Sequence, residues 1–361
     1  MTRARELAEL GSVYDNGALS NRNMIINGAM LIDQRNDGAS VTVSNGVDTF
    51  CPDRFRFTEN HSGTFTIQQV SDAPVGFEKS SKITVTGTDS SLAASEFARI
   101  LQGIEGKNIS HLNWGSANAK TCTLSFYVKS SVTGQYYVSI NNGATNRNML
   151  KGYTIDAANT WEKKTIQIIG DTTGTWLTTN GGGIFIMWTL GTGSTFQSST
   201  TDSYQSGFFM GKSDQINLAA TNSATWQLTG VQLEVGTEAT PFEVRDDELE
   251  RCYRYFESKT FNTFIGVGYA NIATTAHFPF PYLEKRAAPT ITLPTAGQGS
   301  NEVSFLKSNG SFPSTTGTNT ALNATKNQAR IQGGSYSGLT AEGPSALFVN
   351  GEASVTIDAE L

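Results

Sequence analysis

The sequence predicts an all-β protein: a jelly-roll β-sandwich followed by a short helix and a smaller C-terminal β domain, with a short helical anchor at the N-terminus. Apolar and polar residues alternate through much of the chain, a pattern typical of half-buried antiparallel strands. Seven Asn-Gly pairs, which are strong hairpin-turn signals, interrupt these runs. The chain has 36 glycines and only 16% charged residues, a composition that disfavours long helices.

Residues 1–22 are expected to form an anchor helix and a linker. The predicted helix has Thr2 as its N-cap and ends at Gly11, and an Asn-, Ser- and Gly-rich stretch follows. A helix this short is marginal by itself, so it is expected to order on a partner or on copies of itself, with a frayed tail as the alternative. The residues expected to anchor it are Arg3, Arg5, Leu7 and Leu10.

Residues 23–245 are predicted to form the jelly-roll sandwich. Every second residue of 122–128 is apolar, which predicts a strand with one buried face. Residues 184–190 are apolar on both faces and predict a central strand. In 226–235 the apolar phase slips by one residue at Gly230, and a β-bulge there would return both halves of the strand to the core.

The pattern changes after residue 245. Residues 246–256 carry apolar side chains at helical spacing, with acids before bases along the axis, and predict a connecting helix. Residues 257–361 return to strand-like patterns and are predicted to form the second β domain. The clearest hairpin prediction is centred on Asn350 and Gly351, with alternating apolar residues on both sides.

Charge and composition exclude several classes of function. A net charge of −6 and a pI near 5.2 argue against nucleic-acid binding, which needs a basic surface. No apolar run approaches the ~20 residues that span a bilayer, so membrane insertion is not expected, nor is secretion by a signal peptide. Cys51, Cys122 and Cys252 are too scattered for a disulfide framework and are expected to be buried thiols.

The sequence offers no catalytic or metal-binding constellation. Its three histidines lie far apart and are expected on the surface or in loops, outside any ligand or triad spacing. The segment 33–38 is predicted to be a turn and lacks the alternating ligands of an EF-hand. A structural calcium ion without an assignable ligand set stays open, and no other cofactor is expected. The carboxylates considered for glycoside hydrolysis, which have no evident pairing, are Glu105, Asp171, Glu234 and Glu243.

Aromatic residues supply the candidate binding site. Trp161, Trp188 and Trp226 fall within strand patterns and are expected in the core. The candidates for glycan binding are the three aromatics in Gly-, Asn- and Thr-rich loops, where rings can be exposed beside polar groups: Trp114, Trp176 and Tyr204. Structural packing is the alternative role for all three.

A series of short motifs occurs together in residues 1–295. They are 1–5 (MTRAR), 23–30 (NMIINGAM), 34–35 (QR), 53–55 (DRF), 123–130 (TLSFYVKS), 160–164 (TWEKK), 229–236 (TGVQLEVG), 240–243 (TPFE), 252–256 (CYRYF) and 286–290 (RAAPT). This combination resembles tail-fibre-type proteins of marine and cyanobacterial bacteriophages. In that group the helix usually ends in Cys-x-Arg-Tyr-Tyr, whereas the last residue here is Phe256.

The resemblance implies a jelly roll similar to carbohydrate-binding modules, carried on a virion assembled in the host cytoplasm. We therefore expect a non-enzymatic structural virion protein, a tail-fibre subunit that takes part in attachment to host surface glycan. The expected partners are two further copies in a homotrimer, other phage tail or virion proteins, and host surface polysaccharide. One alternative is a capsid-decoration, head-fibre or baseplate-associated protein, and a second is a polysaccharide depolymerase.

Overall fold

The protein is described here from a computed structural model, which covers residues 21–262, 264–297, 301–307, 311, 317–337, 339–341 and 343–361. All pairings between its strands are antiparallel, which confirms the all-β prediction. The described chain divides into two compact units, residues 21–249 with Leu361, and residues 250–360. The predicted anchor residues Arg3, Arg5, Leu7 and Leu10 lie outside the described residues.

Unit 1 is a two-sheet sandwich of the predicted jelly-roll class. One sheet has the strand order β1-β4-β5-β13-β7-β10 and the other β12-β9-β8-β11-β6-β3-β2. Its strands are β1 Val41–Thr42, β2 Thr49–Phe50, β3 Arg56–Asn60, β4 Thr64–Val70, β5 Ser80–Gly87, β6 Phe97–Glu105, β7 Cys122–Ser130, β8 Gly134–Asn142, β9 Arg147–Ile155, β10 Glu162–Ile168, β11 Gly182–Thr192, β12 Gln205–Ser206 and β13 Thr225–Val235. Its helical turns are α1 Gly106–Ile109 and the 3-10 turns Ser110–Leu112, Ser194–Phe196 and Leu218–Ala220.

The core of unit 1 lies between these sheets. The alternating residues of β7 all point into it, and β11 is a central strand between β8 and β6, as predicted. Trp188 and Trp226 are fully buried, which confirms their expected place in the core. The same expectation is wrong for Trp161, which is half-buried and has the Lys129 ammonium 5.3 Å from the centre of its ring.

The thiols of Cys51, Cys122 and Cys252 are buried and free, as predicted. Burial raises the pKa of the Cys51 and Cys122 thiols to about 12. Both thiols therefore stay protonated at neutral pH and act as apolar packing groups. Among the described residues, no helix combines the length and apolarity needed to cross a membrane.

The N-terminal segment of unit 1 is fastened to strand β13 by a buried asparagine. The Asn23 side-chain oxygen accepts hydrogen bonds from the backbone N–H groups of Ile25 (3.0 Å) and Leu233 (3.1 Å), and its amide donates to the Val231 carbonyl. The Val231 N–H in turn donates to the Gly28 carbonyl at 2.9 Å. A Cβ at position 28 would lie 2.1 Å from the Val231 oxygen, so only glycine permits this approach.

Unit 2 consists of two smaller sheets around a second core. The sheets have the orders β14-β22-β17 and β18-β21-β15-β16-β20-β19. Its strands are β14 Phe256–Phe261, β15 Phe264–Ile272, β16 Thr275–Pro281, β17 Thr290–Thr292, β18 Glu302–Lys307, β19 Thr318–Leu322, β20 Gln328–Gly334, β21 Gly343–Asn350 and β22 Ala353–Asp358. Helix α2, Glu248–Tyr253, is shorter than predicted, because the chain turns at Tyr255 and Phe256 already pairs with Asp358.

The prediction of a hairpin at Asn350 and Gly351 is wrong. Strands β21 and β22 both exist with the expected inward residues, but each pairs with other strands and belongs to a different sheet. Gly351 has a φ of 93°, and there the chain crosses from one sheet to the other. The inward-facing residues of both strands were nevertheless predicted correctly, because the two strands face the same core from different sheets.

His61 lies in the loop between β3 and β4, as expected of the histidines, but its side chain is buried, whereas His277 departs from the expectation by lying within β16. The His61 ring packs edge-on against Phe65, and its Nδ1 accepts a hydrogen bond from the Gly63 N–H at 2.8 Å. Burial lowers the pKa of the imidazole below its usual value, although the carboxylates of Asp89 and Glu96 act in the opposite direction. The folded protein therefore holds His61 neutral.

Because folding lowers the pKa of His61, the free energy of unfolding should decrease as the pH falls from the unfolded-state pKa to the folded-state pKa. Below the usual histidine pKa of about 6.5, the unfolded chain takes up a proton that the folded protein refuses, until the lowered folded pKa is reached. In urea titrations, the free energy of unfolding of the wild type relative to His61→Asn should therefore decrease as pH falls through this window. Parallel pH profiles for the two proteins would contradict the assignment.

Candidate functional site

The three aromatic candidates Trp114, Trp176 and Tyr204 do come together, but as a packed cluster. The two indole rings meet edge to face with centres 4.7 Å apart, and Tyr204 lies about equally close to both. Trp114 and Trp176 are only 7% and 6% exposed. The expectation of exposed rings is thus corrected for both tryptophans, which belong to the core of unit 1.

A buried ion pair explains why this cluster is closed. Arg147 donates to both carboxylate oxygens of Asp171, at 2.7 and 2.8 Å, and its guanidinium lies over the Tyr204 ring. The Trp176 indole N–H donates to the same carboxylate at 3.1 Å. Burial alone would raise the pKa of Asp171, but the hydrogen bonds from Arg147, Thr173 and Trp176 outweigh it and hold the pKa below its usual value.

The outer face of the seven-stranded sheet is also covered. The segment 194–217 crosses it, and its backbone carbonyls accept hydrogen bonds from polar side chains that point outward from the strands. Ser139 and Asn148 donate to the Phe209 carbonyl at 2.6 and 2.9 Å, and Thr189 donates to the Met210 carbonyl at 2.7 Å. These side chains are fully buried, so this face offers little room for a ligand.

The outer face of the six-stranded sheet carries an open cleft of about 410 Å³. Its aromatic wall consists of three half-buried rings: Phe77 lies 5.3 Å from Tyr127 and 5.0 Å from Phe242, measured between ring centres. A cleft of this size, with aromatic walls and a few polar groups, has the character of a small-molecule site. We refer to it as the bulge cleft because Gly230 lies in its floor.

The predicted β-bulge at Gly230 is present, and it shapes this cleft. The register between β13 and β7 shifts between Thr229 and Gln232, and Gly230 has a φ of 61°. A Cβ on Gly230 would lie 2.7 Å from the Phe77 ring and 2.9 Å from the Tyr127 ring. The missing side chain therefore leaves the space in which these two rings meet.

The segment 240–243, which carries Phe242, is held in place by the buried carboxylate of Glu234. Glu234 accepts hydrogen bonds from the Thr240 N–H at 2.8 Å and the Thr240 hydroxyl at 2.6 Å. Gln232 accepts from the Glu243 N–H at 2.8 Å. Together they lay the segment 240–243 along β13 and place Phe242 against Phe77. Of the carboxylates considered for hydrolysis, Glu234 thus has a positioning role in the fold.

One ammonium group faces the bulge cleft. Lys163, which is opposite Tyr127 in the strand register, is exposed and is the only charged side chain among the described residues that line the cleft. It makes no salt bridge within the described part of the chain. The cleft can therefore stack apolar faces on its rings and donate hydrogen bonds from Lys163 and Ser125.

The bulge cleft was not predicted from the sequence, although two of its residues could be recognised there. Gly230 was identified from the phase slip, and Tyr127 falls on the polar side of the β7 alternation, where an aromatic residue is unusual. Phe77 could not be recognised from a strand pattern, because it lies at the end of a turn in which its N–H donates a hydrogen bond to the Pro74 carbonyl. Only the folded chain brings it over β13.

No metal site emerges from the described residues, which contain no group of three or more His, Cys, Asp or Glu side chains able to hold an ion. The segment 33–38 is a turn, as predicted. The Asp33 carboxylate accepts hydrogen bonds from the Gly38 N–H and the Asn36 amide, both at 3.0 Å. A structural calcium ion therefore stays open, without assigned ligands.

Comparison of the fold gives carbohydrate-binding modules and a phage tailspike domain. The enzymatically active domain of tailspike protein 4 from bacteriophage CBA120 is 12% identical, with a TM-score of 0.31 over 59% of this chain and 21% of that one. The xylan-binding domain from Paenibacillus barcinonensis gives 12% and 0.25, over 56% of this chain and 97% of its own. A family 11 carbohydrate-binding module from Clostridium thermocellum, in complex with a mixed-linked tetrasaccharide, gives 11% and 0.28, over 55% and 98%.

No protein-family model and no curated protein matches the chain. The identities and TM-scores of the structural likenesses are low. The function of this chain is therefore inferred from its own residues.

Replacing Gly230 with alanine should destabilise unit 1 and close the bulge cleft. Gly46→Ala is the matched control, since Gly46 has a similar φ of 72° but open space around its missing Cβ. The control should cost about 1 kcal/mol of backbone strain, and Gly230→Ala about 1–3 kcal/mol more because its Cβ collides with two rings. Urea unfolding measures both, and equal losses would contradict the proposed role of the bulge.

Proposed function

We propose that this protein is a non-enzymatic bacteriophage virion protein, a tail-fibre subunit that attaches to host surface glycan through the bulge cleft. The observation that carries the glycan-binding role is the cleft itself: three half-buried rings beside one unpaired ammonium group, on an otherwise polar sheet face. The virion role is supported by the motif combination that resembles phage tail-fibre-type proteins. In this proposal the protein works as a homotrimer with other phage tail or virion proteins as partners.

The motif combination also has a physical basis in the fold. The motif at 229–236 contains the bulge glycine and the buried Gln232 and Glu234, and the motif at 240–243 supplies Phe242. The motif at 23–30 supplies the asparagine and glycine that fasten the N-terminal segment to β13. Three of the motifs that suggested the resemblance therefore help to position the proposed site.

A saccharide fits the chemistry of the bulge cleft better than other small ligands. Pyranose rings present apolar C–H faces that stack on aromatic rings, and their hydroxyls accept and donate hydrogen bonds at the rim. Tyr127 and Phe77 offer the first kind of contact, and Lys163 and Ser125 offer the second. No carboxylate is among the described residues that line the cleft, and Glu234 behind Thr240 is engaged in hydrogen bonds with it, which favours binding without hydrolysis.

Removing the aromatic wall should weaken glycan binding without unfolding the protein. Phe77→Ala and Tyr127→Ala should each lose about tenfold or more in affinity for neutral bacterial surface polysaccharides on a glycan array, followed by calorimetry. The control is Phe50→Ala, which removes a half-buried ring on the other sheet. If the cleft variants bind like the wild type, or the wild type binds none of the array, the glycan role of the cleft fails.

The place of the protein on the virion can be tested separately. Immunogold labelling of intact particles, viewed by electron microscopy, should place this protein on the tail. Since the antibody reads location alone, the result does not depend on glycan binding. Label spread over the head would reject the tail-fibre assignment in favour of a decoration or head-fibre protein.

A further inference from the structure

Unit 2 contains a second cleft, of about 370 Å³, on the outer face of its six-stranded sheet. Strands β15, β16 and β20 form its floor, with Tyr269 opposite His277 and Pro279 opposite Arg330 in the strand register. We refer to it as the arginine cleft. Its residues all belong to unit 2, and none of them lines the bulge cleft.

Tyr269 forms an exposed aromatic wall of the arginine cleft. Its side chain is 55% exposed, and its ring centre lies 6.1 Å from that of His277 at a steep angle. Exposing a large ring on a sheet face leaves apolar surface in water, at a cost in free energy that a stacked ligand would offset. Pro279 extends the same apolar surface beside it.

The polar groups of the arginine cleft are donors or amides. Arg330 is exposed and forms no ion pair or hydrogen bond with any other described residue. The amides of Asn323 and Gln328 stand at the same opening, and none of the described residues that line it is an aspartate or glutamate. A guanidinium without a carboxylate partner provides a planar pair of donors that matches a carboxylate in two parallel hydrogen bonds.

His277 lines the cleft with its imidazole ring. Its Nδ1 is buried without a hydrogen-bond partner in the described part of the chain, which is uncommon for a buried nitrogen. Burial, and next the positive charge of Arg330, lower the pKa of the imidazole. The ring is therefore neutral at neutral pH and can accept or donate a hydrogen bond without repelling a cationic neighbour.

We propose that the arginine cleft binds a sugar residue that carries a carboxylate, such as a uronic or sialic acid. The carboxylate lies on the Arg330 guanidinium, the apolar face of the pyranose ring stacks on Tyr269, and the ring hydroxyls meet His277, Asn323 and Gln328. The proposal does not rest on the bulge cleft, since the two clefts share no residue. The protein would then carry two saccharide sites on one chain.

The test uses the full-length protein and an array of oligosaccharides that contain galacturonate, glucuronate or sialate, each printed beside its carboxyl-reduced neutral counterpart. The wild type should prefer at least one acidic member over its reduced counterpart. Arg330→Gln should weaken that binding about tenfold or more, down to the level of the reduced sugar. Tyr269→Ala should weaken the binding of both forms, because it removes the stacking surface.

The control variant is Lys107→Gln, which removes an exposed positive charge from unit 1 and should leave acidic binding unchanged. Circular dichroism and thermal unfolding check that Arg330→Gln folds like the wild type. Phe77→Ala should retain the Arg330-dependent signal, which separates this proposal from the role of the bulge cleft. Absence of acidic preference in the wild type, or full acidic binding by Arg330→Gln, overturns the inference even if neutral glycans still bind at the bulge cleft.

Discussion

The architecture of unit 1 depends on how strand β13 is fastened on both of its flanks by buried polar groups. On one side, Asn23 bonds to the backbone at Val231 and Leu233, and on the other, Gln232 and Glu234 hold the segment that follows the strand. Each of these side chains is buried, so a missing partner would leave an unsatisfied polar group in the interior. The network therefore fixes one register for β13, and with it the position of the bulge.

Alternation of apolar residues predicted the cores well because burial on one face is a local property of a strand. It could not predict which strands pair, since pairing depends on segments far away in the chain. The crossing at Asn350 and Gly351 illustrates the difference: the inward residues of β21 and β22 were identified, and their hairpin was not. A strand that lies across the core from its neighbour has the same pattern as one that lies beside it.

The candidate site was harder to predict for the same physical reason. Trp114 and Trp176 lie in loop-like sequence, yet both are buried. Trp176 donates to the Asp171 carboxylate, which is held by Arg147, a residue distant in the sequence. Trp161 fits a strand pattern, yet its side chain is only half-buried. Exposure of an aromatic ring depends on what covers it, and that cover comes from tertiary contacts. The bulge at Gly230 could be predicted because a bulge shifts the local alternation of apolar residues by one position.

The position of β22 in unit 2 has a consequence for how the chain is made. This strand, Ala353–Asp358, lies between β14 and β17 and provides the pairing partner of both. During synthesis β14 leaves the ribosome long before β22 exists, so it presents unpaired backbone groups throughout the production of the intervening strands. Unit 2 thus acquires its three-stranded sheet in a late step, and its nascent form is open to chaperones or to pairing with other chains until then.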